Sequence, residues 1–147
     1  MGTLSATNYT FTFAGGSLSI MYAPVGLACY GDAGHQILQP INQDGSSVFK
    51  QKSTVPAKFR VCDMNGNSIG TPGVVTSFVR YYSSTGTVTE IGEAVDSTTP
   101  DTAFRWSSND QQWIFNISTK TLSPNMTYYY RITMNDGSII EFQYGLK

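Results

Sequence analysis

Large apolar residues alternate with polar ones along much of this chain, which is the spacing of β-strands that bury one face. The clearest run is 126–134, where every second residue from Tyr128 to Met134 is large and apolar. Asn135-Asp136-Gly137 follows, a sequence typical of a tight hairpin turn. A second alternating run begins at residue 139. The C-terminal part of the chain therefore predicts a β-hairpin.

Similar runs predict further strands at 36–40, 48–52, 55–62, 74–83, 87–94, 103–106 and 112–117. No segment of eight or more residues has the i, i+3, i+4, i+7 apolar spacing of a helix. Many short strands without helices indicate an all-β, antiparallel β-sandwich. The residues that we expect in its core are Phe59, Val61, Trp113, Phe115, Tyr128, Tyr130, Ile132, Phe142 and Tyr144.

In the strand predicted over 55–62, alternation puts Phe59 and Val61 on the buried face. Lys58 and Arg60 then fall on the opposite face, which we expect to be exposed. Pro56 cannot donate a ladder hydrogen bond, so this strand is expected at a sheet edge or to start at the proline.

Residues 7–22 predict an N-terminal hairpin with a turn at Gly15-Gly16. Tyr9, Phe11 and Phe13 form an apolar row along its first strand. This strand has two alternative destinations: it packs within its own chain, or it crosses to a neighbouring subunit and adds a strand there. We divide the chain into an extension over 1–34 and a domain over 35–147.

Composition excludes several classes of partner. Charged residues make up 13% of the chain and the net charge is -1, so no basic field exists to bind nucleic acid. No polybasic or amphipathic stretch suggests a membrane surface, and no window of about 18 apolar residues could insert into a membrane. The first five residues have neither the basic start nor the apolar segment of a secretory signal.

Several segments resemble one family. The segments that carry the resemblance are Val55-Pro56-Ala57-Lys58-Phe59 and, further along the chain, residues 63–70, 96–101, 113–120 and 142–147. Together they resemble the PxKF domain, an immunoglobulin-like module of bacterial surface and secreted proteins, over about residues 35–147. The resemblance implies an immunoglobulin-like sandwich at an extracellular or cell-surface location. Because that family has no defined reaction, it implies no catalytic residues and no cofactor.

A second resemblance concerns one corner of the sandwich. The segment from Leu122 through Pro124 to Tyr128 resembles the Leu-x-Pro-x-x-x-Tyr pattern of fibronectin type III domains. In that pattern the tyrosine hydroxyl bonds to the backbone a few residues upstream and fixes the corner between the sheets. The resemblance implies this role for Tyr128.

The two cysteines, Cys29 and Cys62, allow two alternatives. They form one disulfide, or they are two buried thiols that act as small apolar residues. A disulfide requires Cα atoms about 4.4–6.8 Å apart. A disulfide would also favour an extracellular location.

Sites for chemistry are sparse. His35 is the single histidine, and neither a Ser-His-Asp triad nor a zinc site is indicated around it. Asp63-x-Asn65-x-Asn67 resembles the first half of a calcium loop, but Val74 stands where that loop needs a carboxylate. We therefore expect a turn at 63–67, and neither a metal, a cofactor nor a catalytic group.

Two further interpretations concern the aromatic residues and Lys58. A sugar could stack on exposed members of the aromatic set Trp106, Trp113, Tyr81, Tyr82 and Tyr129. Separately, a Lys–Asn isopeptide bond beside a buried acid would need Lys58, Asn116 and Glu141 to meet. Alternation opposes this, because Lys58 points away from the Phe59 face.

The sequence thus predicts a non-catalytic extracellular module with a structural or adhesion role at a microbial surface. Its expected partners are other copies of itself or another surface protein, with a glycan as an alternative. Three other functions remain open: a filament subunit that exchanges N-terminal strands, a carbohydrate-binding module and a small enzyme.

Overall fold

A computed structural model describes residues 22–83, 92–100 and 102–147 of the chain. The predicted N-terminal hairpin with Tyr9, Phe11 and Phe13 lies outside the described residues, as does most of the strand predicted over 87–94. The described residues form strands and no helix. In chain order the strands are β1 (Ala28–Cys29), β2 (Asp32–Ala33), β3 (Val48–Phe49), β4 (Thr54–Phe59), β5 (Val75–Ser83), β6 (Glu93–Ala94), β7 (Arg105–Ser107), β8 (Gln112–Ser118), β9 (Thr127–Met134) and β10 (Ile139–Leu146).

The strands form two sheets and a small ribbon. The large sheet has the order β3-β10-β9-β5-β6, in which β3 runs parallel to β10 and the other pairs are antiparallel. The small sheet has the order β4-β8-β7 and is wholly antiparallel. The third element, which we call the ribbon, is the antiparallel pair β1-β2.

The hairpin of β9 and β10 forms where the sequence predicts it. Phe142 lies opposite Tyr130, and Tyr144 lies opposite Tyr128, so the large residues of both strands share one face. Gly137 closes the turn with a φ of 85°, which is a left-handed conformation that favours glycine.

Aromatic rings fill the space between the two sheets. Phe78 of β5 lies at their centre, with its ring centroid 4.9 Å from Phe104, 5.1 Å from Phe115 and 6.0 Å from Tyr130. All nine residues that the sequence places in the core are buried, so that prediction is confirmed. The chain is an all-β sandwich, as the alternation predicts.

Three local predictions differ from the structure. Residues 28–33 form the ribbon where no strand was predicted, whereas 36–40 contribute only an isolated bridge from Ile37 to Phe59. Arg60, expected on an exposed face, is only 8% exposed because it lies beyond the end of β4, where the ribbon covers it. The alternation of residues within one strand does not show whether a distant segment of the chain will cover its outer face.

We expect Phe115→Ala to lower the free energy of unfolding by about 3–5 kcal/mol, because it removes a ring that contacts both Phe78 and Phe104 and leaves a cavity. Chemical denaturation monitored by circular dichroism measures the loss. Asn116→Ala, the next residue along β8, is the matched control and should cost less than about 1 kcal/mol. Equal losses in the two variants would show that Phe115 is not a core residue.

Candidate functional site

The two cysteines form a disulfide that ties the ribbon to the sandwich. Cys29 lies in β1 and Cys62 lies just beyond β4, with Sγ atoms 2.07 Å apart and Cα atoms 5.5 Å apart. Both residues are buried. The separation of the Cα atoms falls in the range that a disulfide requires, so the ribbon is fastened covalently.

Arg60 fastens the same ribbon by charge and hydrogen bonds. Its guanidinium pairs with Asp32 of β2, and its carbon atom Cζ lies 5.4 Å from the ring centroid of Tyr30. The remaining donors reach the backbone carbonyls of Gln111, at 3.0 Å, and Asp110, at 2.8 Å. The side chain therefore joins the ribbon to the turn between β7 and β8, and each bond offsets part of the cost of burying a cation.

Further hydrogen bonds hold the first described residues, Tyr22 against the turn between β9 and β10 and Ala23 against Cys62. The amide of Tyr22 donates to Oδ2 of Asp136 at 3.2 Å, and its hydroxyl donates to Oδ1 of Asn135. The amide of Ala23 donates to the carbonyl of Cys62 at 2.9 Å. We call the region formed by Tyr22, Ala23, the ribbon and the turn between β9 and β10 the anchored end of the sandwich.

His35 lies within this anchored end and contacts a serine, yet the arrangement is not that of a hydrolase. Its Nε2 is 2.7 Å from Oγ of Ser138, and its Nδ1 is 3.2 Å from the carbonyl of Ala23 instead of a carboxylate. The amides beside the serine are occupied: that of Gly137 donates to Met134, and that of Ser138 donates to Asp136. Neither is free to stabilise an oxyanion.

In the part of the chain that the structure describes, the two sheets leave a gap between β6 and β7, which is closed at one end where Ser97, just after β6, bridges to Ile117 of β8. Among the described residues β6 pairs only with β5, and β7 pairs only with β8, so each is an edge strand with unpaired backbone groups. The space between them is a cleft of about 490 Å³, which we call the edge cleft. Its apolar lining includes Val75, Phe78, Val95, Phe104, Trp106 and Phe115.

Three close contacts shape the floor of this cleft. The ring centroids of Trp106 and Trp113 lie 5.4 Å apart, and Nε1 of Trp113 donates to the carbonyl of Ile69 at 2.9 Å. Gly70 packs directly on Trp106, where a Cβ atom would collide with the indole. Trp106 is half-buried, so one indole remains accessible from the cleft.

The aromatic residues considered for sugar binding fall into separate groups. Tyr81 and Tyr129 lie on the outer face of the large sheet, with ring centroids 6.2 Å apart. The guanidinium of Arg131 lies 4.6 Å from the Tyr81 centroid and pairs with Glu141 at 2.8 Å. The two tryptophans lie in the edge cleft instead. The four members whose side chains are described thus do not form one aromatic platform, the side chain of Tyr82 lies outside the description, and carbohydrate binding stays a prediction.

The calcium-like segment is a turn. Oδ1 of Asp63 accepts the amides of Asn65 and Asn67 at 2.9 Å each, and Oδ2 accepts the Asn67 side chain. These hydrogen bonds, led by the one from the Asn67 side chain, lower the pKa of the Asp63 carboxyl. In the described part of the chain no three His, Cys, Asp or Glu residues are placed to hold a metal ion together.

The isopeptide residues are not brought together. Lys58 lies opposite Ile114, and Asn116 lies opposite Pro56, both within the small sheet. Glu141 belongs to the large sheet and pairs with Arg131.

Tyr128 forms the corner contact that the fibronectin resemblance implies. Its hydroxyl accepts a hydrogen bond from the amide of Ser123 at 2.7 Å and donates one to the carbonyl of the same residue at 3.1 Å. These bonds hold the segment before β9 against its first turn.

Comparison with models of known protein families gives no match, and comparison with characterised proteins finds no significantly similar sequence. The PxKF resemblance therefore stays a prediction. Within residues 22–83, 92–100 and 102–147 there is no helix long and apolar enough to cross a membrane.

We expect loss of the disulfide to lower the free energy of unfolding by about 3–4 kcal/mol, because the bridge closes a loop across a sequence separation of 33 residues. The double variant Cys29→Ala/Cys62→Ala and the reduced wild type should lose similar amounts in denaturant titrations. Adding reductant to the variant is the control and should change nothing. If reduction leaves the stability of the wild type unaltered, the bridge does not constrain the ribbon.

Proposed function

We propose that the chain is a non-catalytic, extracellular module with a structural or adhesion role at a microbial surface. The observation that carries this proposal is the disulfide between Cys29 and Cys62. Structural disulfides persist in oxidising environments outside the cytosol. The Cys29–Cys62 disulfide is not part of the main core. It fastens the ribbon to one end of the sandwich, where it would hold the exposed surface in a fixed shape.

The proposal includes an immunoglobulin-like fold, which the order of the strands supports. In such sandwiches one sheet carries strands G, F and C, extended beyond C in variable-type domains, and the other carries B, E and D. The orders β10-β9-β5-β6 and β4-β8-β7 follow this scheme. The corner contact of Tyr128 at the start of β9 falls where strand F begins.

The anchored end has the surface character of a protein-binding site. Large apolar side chains are exposed there. They lie in the ribbon, in the turns that flank it and at the start of β10. They are Val25, Leu27, Tyr30, Met64 and Ile139, with exposed fractions of 63%, 47%, 57%, 70% and 46%. Such clusters commonly mark interaction surfaces, which favours another surface protein as the partner.

Thiol labelling tests the extracellular part of this proposal. Cells that produce the protein are treated with a membrane-permeant alkylating reagent before lysis, and the protein is then analysed by mass spectrometry. We expect Cys29 and Cys62 to escape alkylation unless a reductant is added first. Stoichiometric alkylation of both cysteines without reductant would place the protein in a reducing compartment and contradict the proposal.

A second candidate, a filament subunit that exchanges strands, is favoured by the edge cleft. A cleft lined by apolar side chains and bounded by two edge strands can accept a further strand through backbone hydrogen bonds. The apolar row of Tyr9, Phe11 and Phe13 from a neighbouring subunit would supply it. Because donor and acceptor surfaces differ, the contact would be heterologous and would build an open polymer.

For this second candidate, we expect Ala94→Arg to abolish polymers seen by negative-stain microscopy, because it puts a cation on the exposed strand β6 at the edge cleft. Thr133→Arg, on the outer face of the large sheet, is the matched control and should polymerise normally. Deletion of residues 1–16 should leave folded monomers. Polymers formed by either Ala94→Arg or the deletion variant would exclude exchange through this cleft.

A further inference from the structure

A groove runs beside the small sheet where the ribbon and the segment 37–44 lie against it. Lys58 of β4 and Gln112 of β8 line it from the sheet, Asp32 and Ala33 line it from the ribbon, and residues of 37–44 complete the wall. Its volume is about 660 Å³, which is within the range of small-molecule sites. We call it the amide groove, because most of its polar side chains are amides.

Gln112 is the residue of this groove that points to a ligand. Trp113 and Phe115 face the core, so alternation along β8 puts Gln112 on the outer face of the small sheet. The residue is nevertheless only 8% exposed. In the described part of the chain no group hydrogen-bonds to its side-chain amide, and the amide atoms are not sealed from solvent. A side chain so deeply buried with its donor and acceptor unused can bind a polar group that enters the groove.

Lys58 is the second unused group. It is half-buried, and no carboxylate of the described residues pairs with its ammonium. The two carboxylates of the groove have other partners: Asp32 pairs with Arg60, and Asp44 accepts the amide of Ser46 at 2.9 Å and its hydroxyl at 2.6 Å. Since Lys58 and Asp44 carry opposite charges and Arg60 neutralises Asp32, the groove favours a ligand without net charge.

The wall formed by 37–44 is held in place before any ligand binds. Ile37 and Ile41 are buried in the core, so they anchor this segment from below. The amide of Asn42 donates to Oγ of Ser47 at 2.7 Å, and the amide of Leu38 donates to the carbonyl of Lys58 at 2.8 Å. A preformed wall lowers the cost of ordering the site when a ligand binds.

The backbone beside the groove is already paired, which disfavours an extended peptide as the ligand. The carbonyls of Lys58 and Arg60 accept the amides of Leu38 and His35, and Ile37 bridges to Phe59. A peptide that adds a strand needs free backbone groups at the edge, and this stretch of β4 has none to offer on that side. The groove therefore favours a ligand that side chains recognise.

We propose that the amide groove binds a neutral glycan, with Gln112 and Lys58 as the side chains that recognise it. Each sugar hydroxyl both donates and accepts. The amide of Gln112 presents a donor beside an acceptor, which complements a pair of adjacent hydroxyls or an N-acetyl group, and Lys58 donates to a sugar oxygen. The inference needs none of the aromatic residues considered for sugar binding, and it rests neither on the proposed location nor on a protein partner.

The first test asks whether a glycan binds and where. The full chain, with its disulfide intact, is applied to an array of neutral and acidic oligosaccharides, and the glycan retained best is titrated into the protein by NMR. The side-chain NH₂ signal of Gln112 is identified by its loss in Gln112→Met. We expect a neutral glycan to be retained and this signal to shift. Retention of no neutral glycan, or a Gln112 signal that stays unchanged at saturation, would overturn the proposal.

The second test uses variants that keep the shape of the groove. Lys58→Met retains the aliphatic stem without the ammonium, and Gln112→Met retains the length without the amide. We expect each to weaken binding of the retained glycan at least about tenfold, because each removes hydrogen bonds to the ligand. Lys120→Met, in the exposed turn after β8, is the matched control and should bind like the wild type. Circular dichroism verifies that each variant is folded.

Three outcomes of the variant series would contradict the proposal. In the first, both groove variants bind the glycan with unchanged affinity. In the second, Trp106→Ala abolishes binding while Lys58→Met does not, which would place the sugar in the edge cleft. In the third, a parallel peptide array retains an extended peptide whose binding depends on Lys58 and Gln112 while no glycan is bound, which would assign the groove to a protein partner.

Discussion

Aromatic packing between the two sheets is the interaction on which the rest of the structure depends. The ring of Phe78 contacts Phe104 and Phe115 on one side and Tyr130 and Phe142 on the other, so one side chain joins both sheets. Large aromatic side chains bury more apolar area than other residues and dominate the energetics of a core. The ribbon, the edge cleft and the anchored end all take their positions from this pair of sheets.

Two buried tyrosines extend this packing to one end of the core. The hydroxyls of Tyr130 and Tyr144 lie 2.7 Å apart and bond to each other, which satisfies two polar groups that burial removes from water. Burial raises the pKa of both hydroxyls, so the pair stays neutral. The guanidinium carbon of Arg80 lies 5.5 Å from the ring centroid of Tyr128, and the same side chain pairs with Glu93 of β6. The edge strand β6 is thereby tied to the core by charge as well as by its few backbone bonds.

Local alternation predicted the long strands but not the contacts between distant segments. The hairpin of β9 and β10 follows from residues 126–144 alone, and its buried face is correct in every position. By contrast, Phe104 precedes a strand of three residues, and nothing in its neighbourhood marks it as a partner of Phe78. The contact of His35 with Ser138 spans 103 residues, and the parallel pairing of β3 with β10 joins the two ends of the domain. Such contacts depend on topology, which the spacing of residues along one strand does not contain.

Three independent ties converge on the anchored end: a disulfide, the ion pair of Arg60, and the hydrogen bonds of Tyr22, His35 and Asp136. These ties fix the positions of the exposed apolar side chains at this end, which is why we propose a role in recognition for it. The proposed role in recognition requires that the protein is outside the cell. Protease treatment of intact producing cells tests it most directly, with antibody detection of the chain before and after lysis. We predict digestion, or recovery from the medium, without lysis; a chain that is degraded only after the cells are broken would contradict the account.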